Sequence, residues 1–289
     1  MTHVLDAADR AHLDPTRHAG KPLGLRIDHP DPRKMGALDL DLYVHTHDAE
    51  GAEIVVPAKV ARTAAANAYP YGILHNDTYG CCVAAAGSHM QESLRLKFSI
   101  APRPWSPETT LRNYFIANGY SQCAADPNSS ECAAGGPCDN GTDPSVWMND
   151  WQSGKVFHGH ELAGWGWVPQ TSPNLRRMVA EFGCGMLCVA LSTEQQNQGV
   201  DWTYVQGEQC GSWGGHAIDC DCYDEHGLGI ISWGEEGTAD NPFVANCGEG
   251  LWVPLTTAAI GPGGVGPFGL DFDQMKSDLA AFSQGQPAT

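Results

Sequence analysis

Apolar positions along this chain fall first at helical spacing and later in short strand-like runs. In CVAAAGSHMQESLRLK, residues 82–97, Val83, Ala86, Met90 and Leu94 recur every three or four positions and predict a helix with one apolar face. PETTLRNYFIANGY predicts a second helix, and NLRRMVAEF a third that Gly183 closes. GMLCVALS then reads as a compact apolar strand, and HAIDCDCYD, LGIISWG and GLWVPLT as three more. Helices come first and sheet second, which predicts an α+β fold.

The ends read differently. Residues 1–65 alternate Pro/Gly/His-rich stretches such as KPLGLRIDHPDPRK with one strand-like piece, LDLDLYVHT, and predict an extended arm lying on a core. VARTAAANAY is Ala-rich and predicts a short helix that delivers the chain to a loop, YPYGILHNDTYG, ending at Cys81 and Cys82. Residues 121–146 form a loop rich in Gly, Pro, Asn and Ser that needs a staple or a partner. Cys123, Cys132 and Cys138 offer either two disulfide ends or a disulfide and a spare thiol. After Thr256 a linker, GPGGVGP, leads to a last amphipathic helix, FDQMKSDLAAF. The expected division is an arm over 1–65, one domain over 66–256, and a linker with a C-terminal helix over 257–289.

Composition narrows the function. A hydrophobic share of 42% supports a real core, and 34 acidic against 16 basic residues give a formal charge of −18. That field repels phosphate backbones and anionic lipid, so neither nucleic acid nor a membrane is an expected partner. Met1 to Gly20 has no apolar run, and no stretch approaches the ~20 apolar residues of a membrane helix, so synthesis in the cytoplasm is expected. Eleven cysteines fit one working thiol with up to five disulfides, or several buried free thiols.

A thiol becomes nucleophilic when a helix N-terminus and a nearby imidazolium lower its pKa. Cys82 begins a predicted helix. His216, in GSWGGHAID and 134 residues further on, is flanked by two glycines that give access and by an apolar alternation that fixes it on a strand. Gly80-Cys81-Cys82-Val83-Ala84, Gly215-His216-Ala217 and Ser232-Trp233-Gly234, in that order, resemble the papain-like cysteine peptidases, whose histidine lies about 130–150 residues after the nucleophile. The stretch Asn76-Asp77-Thr78-Tyr79-Gly80-Cys81-Cys82 with the later Gly214-Gly215-His216 is similar to a branch found in actinobacterial phages and their hosts, over roughly residues 60–256.

The resemblance implies a helical N-terminal half and an antiparallel β C-terminal half with the site between them, Cys82 as nucleophile, His216 as base, and Asn76 beside the oxyanion. It implies no cofactor and no metal. Two departures stand out. Where the family has an asparagine before Ser-Trp-Gly this chain has Ile231, leaving Ser232 to orient the imidazole, and Cys81 replaces a common aspartate and competes with Cys82.

Other residues have plainer readings. His89 reads as a packing histidine, while Asp219 and Asp221 could orient His216 but on an alternating strand are expected to face solvent. Cys184, Cys188, Cys220 and Cys222 form a formal zinc set whose spacing fits strand thiols as well. The tryptophans of the second half read as core, with Trp213 and Trp233 placed to shield the catalytic pair. The expected function is a cysteine hydrolase of a phage virion, acting on a peptide or peptidoglycan-like amide and touching other virion proteins through its arms. The alternative is a papain-fold decoration protein without turnover. An arm of this kind can also block the cleft, in which case activity appears only after proteolysis.

Overall fold

The structure, a computed structural model, describes residues 19–160, 162–261 and 263–283. The reading of the N-terminus falls, for residues 1–18, outside these. An eight-stranded sheet runs β1 (Leu38–Asp39), β2 (Gly164–Val168), β8 (Gly248–Leu255), β3 (Gly185–Leu191), β5 (Gly214–Tyr223), β6 (Gly227–Ser232), β7 (Glu235–Asp240) and β4 (Asp201–Trp202). Its inner pairs are antiparallel, and only the two-residue edge strands β1 and β4 pair in parallel. Most of the helical mass lies earlier in the chain: α1 (Ala64–Asn67), α2 (Cys82–Lys97), α3 (Pro107–Ala117), α4 (Ser121–Ala125) and α5 (Pro144–Gln152). Later come α6 (Leu175–Phe182), α7 (Asn241–Cys247) and α8 (Phe272–Ser283). Among the described residues no helix is long and apolar enough to cross a membrane.

Local chemistry sets many of these boundaries. Ser106, Asp143 and Asp240 each accept a backbone N–H of the turn they open, and each is followed within two residues by Pro107, Pro144 or Pro242. Gly183, at φ 98°, closes α6 in the left-handed conformation. The predicted strand LDLDLYVHT is short: it pairs with β2 only at Leu38 and Asp39 and then tightens into a 3-10 turn over Leu40–Tyr43. Its alternating leucines are instead split between core and solvent, Leu40 buried and Leu42 exposed.

Alternation along the strands sorts the core into two clusters. Leu187, Val189, Leu191, Ile218 and Cys220 face one side with α6, α7 and α8. Met186, Cys188, Ala217 and Trp252 face the other, against α2, α3 and α5. Helix α2 is the pivot of that second layer, buried on almost every side. Gly87 lets it close on α5, because a Cβ there would meet the Trp147 indole at 2.3 Å. The N-terminal end of α2 is thereby held against β5, which carries His216.

Candidate active site

The loop before α2 turns sharply, with Leu74 and His75 both at positive φ, and delivers Gly80 and Cys81 to the helix start. Cys82 is the first residue of α2 and is fully buried. Burial pushes its thiol up to about 11, while the backbone N–H groups of Ala217, Gly24 and Val83, directed at the sulfur, act in the opposite sense. Ala217 follows His216, so thiol and base strand meet at this point. Cys81 turns elsewhere: its Sγ lies 3.6 Å from the Leu74 carbonyl, and burial holds that thiol well above the usual range. Asn76 is buried six residues before Cys82, and its Oδ1 has no hydrogen-bond partner among the described residues.

His216 is fixed from two sides. Its Nε2 stands 2.9 Å from the Ser232 hydroxyl, and its ring stacks on Trp233 with centroids 4.5 Å apart. Trp202 meets the same imidazole edge-on and Trp213 stacks on Trp233. The β6–β7 hairpin makes this possible. Its two turn residues, Trp233 and Gly234, both have positive φ, the geometry that follows the twist of antiparallel strands. A tryptophan there carries backbone strain of about 1–3 kcal/mol, and the ring it places covers His216. Ile231 points away, into a small cluster with Ala66, Tyr71 and Leu96.

Between the two walls lies the chain's own arm. Leu25 donates to the Gly215 carbonyl at 3.1 Å, Thr142 donates to the Gly24 carbonyl at 2.8 Å, and Arg26 donates to the Thr142 carbonyl at 3.1 Å. Asp143 accepts two amides further on, those of Asp28 and His29. Gly24 fits because it has no side chain: a Cβ would lie 1.6 Å from the Gly80 oxygen. Lys21 covers the Trp233 ring at 5.5 Å. The backbone N–H of Gly24 is among the groups that act on the Cys82 thiol, so the segment lies against the sulfur. Sequence reasoning did not single out Gly24 or Thr142. The one signal available is a lone glycine between two leucines in an arm otherwise set by prolines.

The remaining candidates take other partners. Asp219 and Asp221, expected to face solvent, are both buried, because β5 is covered on both faces. Asp219 Oδ2 accepts from Ser93 at 2.5 Å, and burial raises its carboxyl well above the usual range. Both carboxylate oxygens of Asp221 accept from the buried Arg62 Nε–H, at 2.7 and 2.9 Å. His89 is a packing residue, its Nε2 2.8 Å from the Gly72 carbonyl. Cys184, Cys188, Cys220 and Cys222 are free thiols, and among the described residues none joins a cluster with metal-ligand spacing. Two disulfides form, Cys123–Cys132 and Cys210–Cys247, leaving seven free cysteines where up to five bridges were possible.

No family profile matches this sequence, and no curated protein is significantly similar to it. Solved structures are. Xylellain, a cysteine protease from Xylella fastidiosa, superposes with a TM-score of 0.58 at 15% identity over 82% of this chain and 97% of its own. ProCathepsin B S9 from Trypanosoma congolense follows with 0.49 at 8% identity, over 83% and 88%. Digestive procathepsin L 3 of Tenebrio molitor larval midgut gives 0.45 at 11%, over 78% and 77%. At 15% identity the likeness to xylellain is one of fold, and the fold is the papain-like α+β type.

Proposed function

We propose that this chain is a papain-like cysteine hydrolase held silent by its own arm. The observation that carries the reading is the meeting of Cys82, at the N-terminus of a 16-residue helix, with the amide of Ala217 beside a His216 that Ser232 and Trp233 hold in place. With the plug gone, the Cys82 proton passes to His216 and the helix N-terminus favours the thiolate. The sulfur attacks the carbonyl carbon of a peptide or amide, and negative charge gathers on its oxygen. The Cys82 N–H and the Asn76 amide donate to that oxygen. His216 returns its proton to the departing amine, and the thioester is then opened by water with His216 as base. Ser232 accepts from the Nε2–H of the imidazolium. A phage particle as the setting, with a peptide or peptidoglycan-like amide as substrate, belongs to the same proposal and rests on the NDTYGCC and GGH stretches.

A second reading, a papain-fold scaffold without turnover, is favoured by one observation: Cys82 is wholly enclosed and its thiol is pushed up, not down. The two separate on the pH dependence of iodoacetamide labelling of Cys82 in a Gly24→Ala chain, whose new methyl cannot fit against Gly80. Labelling that persists at pH ~5 and collapses when His216→Ala is added supports the hydrolase. Labelling that rises only near pH ~8.5 in both chains, as for an ordinary thiol, leaves the scaffold.

A further inference from the structure

A group of reactive side chains outside this pair spans α4 and the loop that follows it. The Sγ atoms of Cys123, Cys132 and Cys138 lie within 4.8 Å of one another, and all three residues are buried. Cys123 and Cys132 form a disulfide, and Cys138 keeps a free thiol. The Cys138 amide donates to the Glu131 carbonyl at 3.3 Å, which holds it beside Cys132.

The next residue carries this cluster to the cleft. Asp139 Oδ1 accepts the Gly80 N–H at 2.9 Å and the Tyr114 hydroxyl at 2.9 Å, while Oδ2 accepts the Gly135 N–H at 2.8 Å. The Tyr114 hydroxyl in turn accepts the Gly141 N–H at 3.0 Å. One carboxylate therefore ties the turn before the nucleophile to the wall, Gly141–Thr142, that grips the plug.

We propose that Cys138 is the exchange thiol of an internal disulfide relay that sets how tightly this wall holds the Gly24 plug. The Cys138 thiolate attacks Sγ of Cys132. The Cys132–Cys138 bond forms, the Cys123–Cys132 bond breaks, and Cys123 leaves as a thiolate that takes up the proton Cys138 gave away. No electrons enter or leave. Bonding distance is about 2 Å, so the exchange draws Cys138 in by up to about 3 Å and carries Asp139 with it. The carboxylate then loses its fit to Gly80 and Tyr114, and Thr142 loosens on Gly24.

The test uses the full chain equilibrated in glutathione buffers, labelled briefly with iodoacetamide, quenched in acid and separated into disulfide isomers that are mapped by peptide mass spectrometry. The expected result is a second isomer with Cys138 in a disulfide, in which Cys82 is labelled at least tenfold faster. Cys138→Ser should show one isomer and the slow rate only, and Asp139→Ala the fast rate whichever isomer is present. The proposal is overturned if Cys138 stays a thiol in every buffer, if the three sulfurs prove to hold a metal ion in the native mass, or if the two isomers label alike. Cys82 accessibility is the readout, so a chain unable to hydrolyse any substrate can still pass or fail.

Discussion

At the scale of single residues the site turns on a hydroxyl where the papain-like pattern has an amide. Strand alternation sends Ile231 into the cluster with Ala66 and Tyr71 and sends Ser232 to His216, so the polar residue nearest the vacant position takes up the contact. Because Ser232 Oγ accepts from Nε2–H only when the ring keeps that proton, its loss would weaken the imidazolium of the proposed pair and with it the proposed thiolate. In a Gly24→Ala background, Ser232→Ala should slow Cys82 labelling at pH ~5 by about tenfold while leaving the rate near pH ~9 unchanged; equal slowing at both would show that the hydroxyl merely supports packing. Ser232, His216 and Cys82 were legible because each is marked by a short local pattern: a hairpin turn, a glycine pair, a helix start. Gly24 was not. Its role depends on a contact with Gly80 that no local pattern announces.

Among the elements, α2 shows where reading periodicity stops. The apolar face of Val83, Ala86, Met90 and Leu94 is visible in the sequence, but the opposite face is buried too, with several of its polar groups hydrogen-bonded. Ser88 binds the Ala84 carbonyl, Ser93 binds Asp219, and His89 meets Gly72. Periodicity reports contrast between faces, and it cannot show that the polar face of such a helix is buried as well. His89 makes the cost measurable. Burial lowers its pKa to about 4, against 6.5 in an unfolded chain, so between these values the unfolded state binds a proton that the folded state refuses. Its contribution is complete above pH ~6.5 and is lost as the pH falls toward 4, by up to about 3 kcal/mol. Urea unfolding of wild type and His89→Gln across pH 4–7 should show the variant less stable at pH 7 but with a shallower loss on acidification. Parallel curves would mean that another group sets the slope.

For the whole molecule, the arm has two parts that are held in different ways, and one cut should separate them. Leu38, Leu40 and Tyr43 are buried in the sheet-side core, β1 extends the sheet, and the Tyr43 hydroxyl donates to Asp278 on α8 at 2.8 Å. Upstream, the plug is held by backbone bonds of Gly24, Leu25 and Arg26, and the connecting residues Ile27–Pro30 are exposed, tethered where the Asp28 and His29 amides meet the Asp143 side chain. The order of helices and strands anticipated the general architecture, because both are written in local periods. This division of the arm was hidden, since prolines and glycines mark extended chain without saying what it lies against. A protease recognition sequence placed at residues 27–30 of the full chain would leave Leu38–Tyr43 in the core while making the plug a separate peptide, so its local concentration falls on dilution. Cleavage should raise Cys82 labelling at neutral pH by tenfold or more and move the melting temperature by only a few degrees. If the cut chain melts far earlier, the upstream segment is part of the core; if it stays stable and Cys82 stays silent, the segment does not gate the thiol.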